Sequence, residues 1–187
     1  MKPERTLRSR TVFKGRRLDV RVLTVKTGKH KTSQREIVYP PDAVAVLCVR
    51  PDGRLVFVQQ FRKALEQTLF EIVAGGIEPH ESPATAARRE VREETGYSVR
   101  TLTRLGCIYP APGYTSEALH VYFARLDGTQ GALDPDEDEH IRVVAMSPAQ
   151  FDALIAAGKV ADAKALAAWM LYLRLKPHAT RRVAGRR

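Results

Sequence analysis

The sequence predicts an α/β protein, either an α+β fold or a three-layer α/β/α sandwich around a mixed β-sheet. Segments with the apolar patterns of β-strands recur along most of its 187 residues. Helical signals are confined to three segments that flank these strands. The length suits one domain, or one domain with a modest appendage.

The N-terminal part predicts a small antiparallel sheet. Residues 11–14 and 18–26 alternate apolar and polar side chains, as half-buried strands do, and Gly15 supplies a turn between them. A third strand is predicted at 35–39, just before two consecutive prolines. We therefore expect residues 1–41 to form an N-terminal β region appended to the main domain.

The central part predicts the strands of a larger sheet. Residues 44–50 and 54–61 have the pattern of a hairpin around a Pro-Asp-Gly turn, and residues 69–75 that of one buried strand. Further strands are predicted at 99–109, 118–126 and 141–146.

The helical segments carry start and stop signals. Ser82 and Pro83 suit the N-cap and first position of a helix that runs towards Gly96, a residue type common at helix ends. A short helix is predicted at roughly 148–157, after Ser147. The last helix is predicted at 161–176, and we expect its Trp and Leu side chains to pack in the core.

The net charge of +10 is distributed unevenly. Basic residues are concentrated in the N-terminal region and in a C-terminal tail, 177–187. This distribution fits either attraction to polyphosphates or nucleic acid, or a solvated surface with a basic tail. For the tail we favour the second interpretation.

Hydropathy and cysteine usage predict a cytoplasmic protein. No apolar run approaches the roughly eighteen residues that span a bilayer, and the charged N-terminus lacks the apolar stretch of a secretory signal. Cys48 and Cys107 lie far apart in apolar, strand-like runs. We expect both to be small core residues in a reducing compartment rather than partners in a disulfide.

Three carboxylates form the strongest chemical signal. Glu90, Glu93 and Glu94 stand at positions i, i+3 and i+4 of the predicted helix, so they project from one face. Like charges at this spacing repel, and a bound cation would turn the repulsion into a binding site. Carboxylate oxygens without nearby Cys or His suit Mg²⁺ or Mn²⁺. The alternative is a solvated acidic helix face.

The segment from Gly75 to Tyr97 resembles the signature of the Nudix hydrolases, G-x5-E-x7-R-E-U-x-E-E-x-G-U, where U is a bulky apolar residue. The aromatic Tyr97 at the last position is a mild departure from it. The resemblance implies a Nudix-type α/β/α sandwich over residues 42–176, with Glu81 and Arg89 bracing the loop as an ion pair. It also implies a metal site made by Glu90, Glu94 and the Ala74 carbonyl, with Glu93 as a further ligand or a catalytic, water-positioning group. The matching residues are Gly75, Glu81, Arg89, Glu90, Val91, Glu93, Glu94 and Gly96.

The flanks of this segment are similar to those of ADP-ribose pyrophosphatases. Residues 109–117 resemble that group's Y-x-S/A-P-G-F/Y-x-x-E segment, with its marker proline at Pro112 and its last position at Glu117. Residues 59–62 resemble its Q-Y/F-R segment, in which the arginine, here Arg62, contacts the phosphate side of the substrate. Residues 70–75 resemble its E-x-P-A-G entry. A surface arginine at a strand end is the alternative for Arg62.

The resemblance also predicts a general base and a dimer. In such enzymes a glutamate ahead of a late strand orients or deprotonates water, and Glu139 is the best match, with Glu137 second. A solvated acidic loop is the alternative there. The N-terminal strands of such enzymes pair two subunits, and side chains from the partner subunit help to bind the adenine end of the substrate. The resemblance implies such a contact near Arg35 and Glu36.

These expectations define one predicted function and its rivals. We expect a homodimeric, Mg²⁺-dependent hydrolase that cleaves ADP-ribose to AMP and ribose 5-phosphate. The first alternative is a hydrolase of another nucleoside diphosphate sugar such as GDP-mannose. A nucleic-acid-binding module of the same fold is less consistent with a complete set of carboxylates, and a cap- or oligophosphate-directed hydrolase lies between the two.

Overall fold

The computed structural model describes residues 3–29, 31–132 and 141–175. A three-stranded antiparallel sheet comes first, with the strands in chain order. It contains β1 (Arg5–Lys14), β2 (Asp19–Lys26) and β3 (Thr32–Tyr39). The first strand begins earlier than the sequence predicts because it pairs with β2 along the whole of that strand, from Arg5 opposite Lys26 to Lys14 opposite Asp19.

A second, seven-stranded sheet follows and is mixed, as predicted. Its central path runs β10-β5-β4-β9-β8, in which β4 and β9 are parallel. Its strands are β4 (Ala43–Val49), β5 (Leu55–Arg62), β6 (Gln67–Glu71), β7 (Val73–Gly76), β8 (Tyr97–Ile108), β9 (Leu119–Gln130) and β10 (Ile141–Met146).

The strand predicted at 69–75 is divided at Ile72. The segment before it, β6, pairs with β5, whereas the segment after it, β7, pairs with β4. Strands β4 and β5 pair with each other only where Cys48 and Val49 lie opposite Val56 and Leu55. Their backbones elsewhere need other hydrogen-bond partners, and β6 and β7 supply them.

Three helices cover the two faces of the large sheet. They are α1 (Pro83–Thr95), α2 (Pro148–Ala156) and α3 (Ala163–Leu175). Buried Ala86, Ala87 and Val91 of α1 pack on one face, against strand residues such as Val46 and Val58. The other face buries Leu47 and Phe57 against Phe151 of α2 and Trp169 of α3. The predicted three-layer α/β/α arrangement is confirmed. No helix among residues 3–29, 31–132 and 141–175 is long and apolar enough to span a bilayer.

Two predictions about the core are only half right. Cys48 is buried, but Cys107 is exposed on β8, and neither forms a disulfide. Trp169 is buried, whereas Leu166 and Leu173 of the same helix are exposed. Both departures have one cause, since an edge strand and an outer helix each turn one face away from the core.

The strand directions collect several chain segments at one end of the large sheet, which we call the site end. Strands β5 and β7 run antiparallel to β4, so their last residues, Arg62 and Gly76, lie where β4 begins. The parallel strand β9 starts at this end, with Leu119 opposite Ala43. Strand β10 also starts there, with Ile141 opposite Gln60.

Candidate active site

Helix α1 is fixed at both ends by its sequence. The Ser82 hydroxyl accepts a hydrogen bond from the Thr85 backbone N–H at 3.1 Å, and Pro83 occupies the first turn. Gly96 ends the helix with a positive φ of 72°. A Cβ at Gly96 would lie 2.5 Å from the carbonyl oxygen of Gly131, so this close approach also requires glycine.

The apolar side of α1 determines how far each carboxylate is exposed. With Ala86, Ala87 and Val91 packed on the sheet, Glu94 is also drawn inside and is 4% exposed. Its charge, together with burial, raises the pKa of the nearby Cys48 thiol, burial being the larger cause. The exposure of the three glutamates therefore increases from Glu94 to Glu90 and Glu93, whose side chains are 12% and 35% exposed.

Arg89 holds the loop before α1 in place. Its Nε and Nη2 bind the two carboxylate oxygens of Glu81 at 3.1 and 3.0 Å, and Nη2 also donates to the Gly76 carbonyl at 2.9 Å. This is the ion pair that the sequence predicts. The hydrogen bonds from Arg89 are the main cause that lowers the pKa of Glu81, and the Glu81 carboxylate correspondingly raises that of Arg89.

The same guanidinium also bridges two of the three clustered glutamates. Arg89 Nη1 donates to Glu90 Oε1 at 2.8 Å and to Glu93 Oε2 at 2.9 Å. No three His, Cys, Asp or Glu side chains converge as a ready metal site within the described part of the chain. Arg89 thus partly compensates the negative charges of Glu90 and Glu93.

The environment of Glu90 nevertheless fits a cation. Its carboxylate lies against Gly75, where an added Cβ would come 2.0 Å from Glu90 Cδ and 2.1 and 2.2 Å from the two oxygens. Glycine is therefore needed for the carboxylate to reach the end of β7, beside Ala74. The carboxylate oxygens of Glu90 and Glu93, which both accept hydrogen bonds from Arg89 Nη1, suit a hard divalent cation. The residues present thus fit the metal site that the sequence predicts.

Arg62 lies at the site end, but its guanidinium is paired. Its Nε and Nη2 donate to the two oxygens of Glu71 at 2.6 and 2.8 Å, a bidentate contact. The side chain of Arg62 remains 38% exposed, whereas that of Glu71 is 1% exposed. Arg62 is thus a partly exposed residue at a strand end, and Glu71 holds its guanidinium in a fixed position.

The segment that contains Pro112 and Glu117 connects β8 to β9 at the site end. It is attached to the N-terminal sheet through Val38, whose N–H donates to the Tyr114 carbonyl at 2.8 Å. The Val38 carbonyl accepts from the Ser116 N–H at 3.1 Å. The end of β3 therefore fixes the position of this loop.

The remaining predicted site residues are not joined to this cluster by any described contact. Arg35 lies on β3, where its guanidinium pairs with Glu4 and donates to Ser33 Oγ and the Gln34 carbonyl, both at 2.9 Å. Glu137 and Glu139 lie outside the described residues.

Sequence reasoning missed an ion-pair network next to Arg62. Lys164 of α3 donates to Glu71 at 2.8 Å and to Asp162 at 2.8 Å. The apolar residues that dominate 161–176 predict core packing for its Trp and Leu side chains and give no sign of a buried ion pair. The signal that was available is Asp162 directly before a helix, a position that favours a fixed carboxylate.

Comparison with known proteins assigns the family. Residues 39–169 match the NUDIX domain. The ADP-ribose pyrophosphatase of Bacillus subtilis (strain 168) is 40% identical over 174 residues, 92% of this chain and 94% of that protein. The methanol dehydrogenase activator of Bacillus methanolicus is 34% identical over the same shares of the two chains.

Two further similarities agree with this family assignment. A GDP-mannose pyrophosphatase of Yersinia enterocolitica (serotype O:8 / biotype 1B) is 33% identical over 132 residues, 66% of this chain and 69% of that protein. The crystal structure of an ADP compounds hydrolase superposes with a TM-score of 0.80 at 25% identity, over 93% of this chain and 94% of the other. Hydrolases of this family generally use divalent metal ions. The matching domain, the shared fold and the glutamate cluster of α1 together show that the chain belongs to the NUDIX family of hydrolases.

Proposed function

We propose that this hydrolase cleaves the pyrophosphate bond of ADP-ribose, giving AMP and ribose 5-phosphate, with Mg²⁺ or Mn²⁺ as cofactor. The observation that carries the proposal is the placement of the Glu90 carboxylate against Gly75, at the sheet end where Arg62 also lies. A cation site and a phosphate-binding arginine at one end of the sheet are what a diphosphate needs. The similarity to an ADP-ribose pyrophosphatase along nearly the whole chain supports the same substrate.

In the proposed site the metal is held by Glu90, Glu94 and the Ala74 carbonyl. A divalent cation there would neutralise the diphosphate and lower the pKa of bound water. Glu93 is the third carboxylate, placed to hold or orient that water, and its 35% exposure suits contact with solvent. The contacts of Arg89 with Glu81 and the Gly76 carbonyl would hold the loop in shape beside a cation bound by Glu90.

Substrate binding is assigned to residues around the site end. Arg62 pairs with the diphosphate, since a guanidinium matches the geometry of phosphate oxygens. Pro112 and Glu117 are assigned to substrate binding from the loop between β8 and β9, and Arg35 from the N-terminal sheet of the partner subunit. Glu139, with Glu137 second, is the proposed general base that accepts the proton of the attacking water.

We infer that the protein acts as a cytoplasmic homodimer with a small-molecule substrate and that it binds neither nucleic acid nor membrane. All ten residues of β1 are exposed, although Leu7, Val12 and Phe13 are large and apolar. A fully exposed strand with three large apolar side chains suits contact with a second copy. Residues 1–41 would then be the dimerisation region and 42–176 the hydrolase domain, with 177–187 a basic tail. Free Cys48 and Cys107 agree with a reducing compartment.

Hydrolysis of GDP-mannose is the second candidate, supported by the 33% identical GDP-mannose pyrophosphatase. The metal site is the same for both substrates, so the two are separated by base and sugar recognition. The test is a panel of nucleoside diphosphate sugars with Mg²⁺, in which release of AMP and GMP is measured. A clear preference for ADP-ribose in kcat/KM supports the first function. Equal rates for all sugars would remove the narrower assignment.

A further inference from the structure

A network of four charged side chains stands next to the site end, outside the glutamate cluster. Glu71 accepts hydrogen bonds from Arg62 and from Lys164, and Lys164 also donates to Asp162. The side chains of Glu71 and Asp162 are 1% and 5% exposed, so both carboxylates are nearly dry. Two acids and two bases compensate each other, as buried ions require.

The start of α3 fixes the position of this network. Asp162 Oδ1 and Oδ2 accept the backbone N–H groups of Lys164 and Ala165 at 3.2 and 3.1 Å. Its carbonyl accepts the N–H of Leu166 at 3.2 Å. Asp162 is therefore anchored by the first turn of the helix, and the Lys164 ammonium that it binds is anchored with it.

The network keeps Glu71 ionised. Burial alone would raise the pKa of Glu71, but hydrogen bonds from Arg62 and the charge of Lys164 lower it overall. Burial alone would lower the pKa of Lys164, and the charges of Asp162 and Glu71 raise it instead. At neutral pH the Glu71 carboxylate is thus ionised and pairs with Arg62 on one side and with Lys164 on the other.

We propose that Lys164 is a positioning residue of the site, which through Glu71 holds the guanidinium of Arg62 in the orientation that binds the diphosphate. Lys164 compensates the buried carboxylate from the α3 side, so that the charge of Arg62 remains available to an anionic ligand. Without Lys164, the Glu71 carboxylate loses its anchor on the α3 side, and the Arg62 guanidinium that it binds at 2.6 and 2.8 Å shifts with it. This inference rests on the proposed function, in which Arg62 contacts the diphosphate.

The experiment is a double-mutant cycle with Lys164→Met and Arg62→Ala, in which kcat and KM for ADP-ribose are measured with Mg²⁺. We expect Lys164→Met to raise KM roughly tenfold, with a smaller change in kcat, because a misplaced binding group weakens substrate positioning. In the Arg62→Ala background the same change should have no further effect on KM. The Mn²⁺ concentration for half-maximal activity should stay unchanged, since Lys164 touches none of the clustered glutamates. Lys159→Met, at an exposed lysine, is the matched control and should leave KM unchanged.

Glu71→Gln separates positioning from simple electrostatics. This change makes the network more positive by one charge, so electrostatic attraction alone would lower KM, whereas loss of the anchor raises it. It also serves as the second variant if Lys164→Met does not fold. The inference would be overturned if Lys164→Met changed KM equally with and without Arg62, or if neither Lys164→Met nor Glu71→Gln folded. The network would then be a purely structural feature.

A binding measurement keeps this inference separate from the proposed function. The Kd of ADP-ribose is measured by calorimetry with Ca²⁺ in place of Mg²⁺. If the unmodified protein binds ADP-ribose with Ca²⁺ but does not hydrolyse it with Mg²⁺, the proposed function fails. The coupling between Lys164 and Arg62 is then obtained from the Kd values of the variants instead of their KM values. If it does not bind ADP-ribose at all, both proposals are wrong.

Discussion

The carboxylate of Glu90 lies so close to Gly75 that a single Cβ at that glycine would be 2.0 Å from Glu90 Cδ. Real Cβ atoms do not approach a carbon to that distance, so any other residue at position 75 moves the carboxylate. Gly75 does not have a positive φ, so its backbone conformation does not require glycine. Glycine is required because the Glu90 side chain of α1 occupies the space of a Cβ. A strand end and a helix thus together determine the position of one proposed metal ligand.

Gly75→Ala should therefore remove activity while leaving the fold. We expect kcat with Mg²⁺ to fall about 100-fold, because a ligand displaced by about 1 Å costs that order of rate. Steady-state kinetics and Mn²⁺ binding measure the effect. Gly76→Ala is the matched control, since a Cβ at Gly76 has no heavy atom within 4 Å. Equal losses in both variants would show that the displaced carboxylate is not the cause.

Glu94→Gln should separate metal binding from folding. Glu94 is 4% exposed and shares a helix face with Glu90 and Glu93, so neutralising it removes like-charge repulsion on that face. Without metal we expect the Tm of the variant to equal or exceed that of the unmodified protein. Addition of Mn²⁺ should then raise Tm only for the unmodified protein, because a ligand stabilises the state that binds it.

Kinetics with the same variant test the chemistry. We expect Glu94→Gln to lower kcat by about two to three orders of magnitude, the scale of losing one group that stabilises charge in a transition state. Glu66→Gln, at an exposed glutamate paired only with a surface lysine, is the control and should leave both Tm and kcat unchanged. Full activity and a normal Mn²⁺ response in Glu94→Gln would contradict the proposed metal site.

The Glu81–Arg89 pair should make stability depend on acid pH. The pKa of Glu81 is lowered from 4.5 in the folded protein, so its stabilisation is fully present above pH 4.5. It is lost as pH falls through the lower, folded pKa. Glu81→Gln should cost about 1 kcal/mol at pH 7, since a partly exposed pair is screened by solvent. Urea unfolding at pH 7 and pH 3.5 should show that this cost shrinks in acid.

Glu78→Gln provides the comparison for that measurement. Glu78 is exposed in the same loop, and its backbone N–H rather than its side chain contacts Glu81. We expect its unfolding free energy to follow that of the unmodified protein at both pH values. A cost of Glu81→Gln that does not change between pH 7 and pH 3.5 would mean that the ion pair does not stabilise the loop.

The sequence predicted those features that local chemistry determines. The caps of α1, Ser82 and Gly96, follow from the preferences of single residues, and the spacing of the glutamates follows from the helical period. The predicted ion pair between Glu81 and Arg89 is present for the same reason, since both residues lie in one short loop-helix segment.

Features that depend on distant segments were not predictable. The division of the strand at Ile72 results from the way β4 and β5 separate, which no local pattern encodes. The contact between Lys164 and Glu71 joins residues 93 positions apart. The exposure of Cys107 depends on which side of an edge strand remains uncovered. In each case tertiary packing determined the result, and local propensity did not.

The exposed apolar residues of β1 provide a test of the proposed dimer. Leu7 and Val12 are each 45% exposed, and a charge at either position would be buried without a partner in an interface. We expect the unmodified protein to have a mass of about twice 20.9 kDa by light scattering, and Leu7→Asp or Val12→Asp to shift it to 20.9 kDa. Thr101→Asp adds the same charge at an exposed polar position outside the N-terminal sheet and is the control. A mass of 20.9 kDa for the unmodified protein at all concentrations would contradict the dimer, and with it the approach of Arg35 to a partner's site.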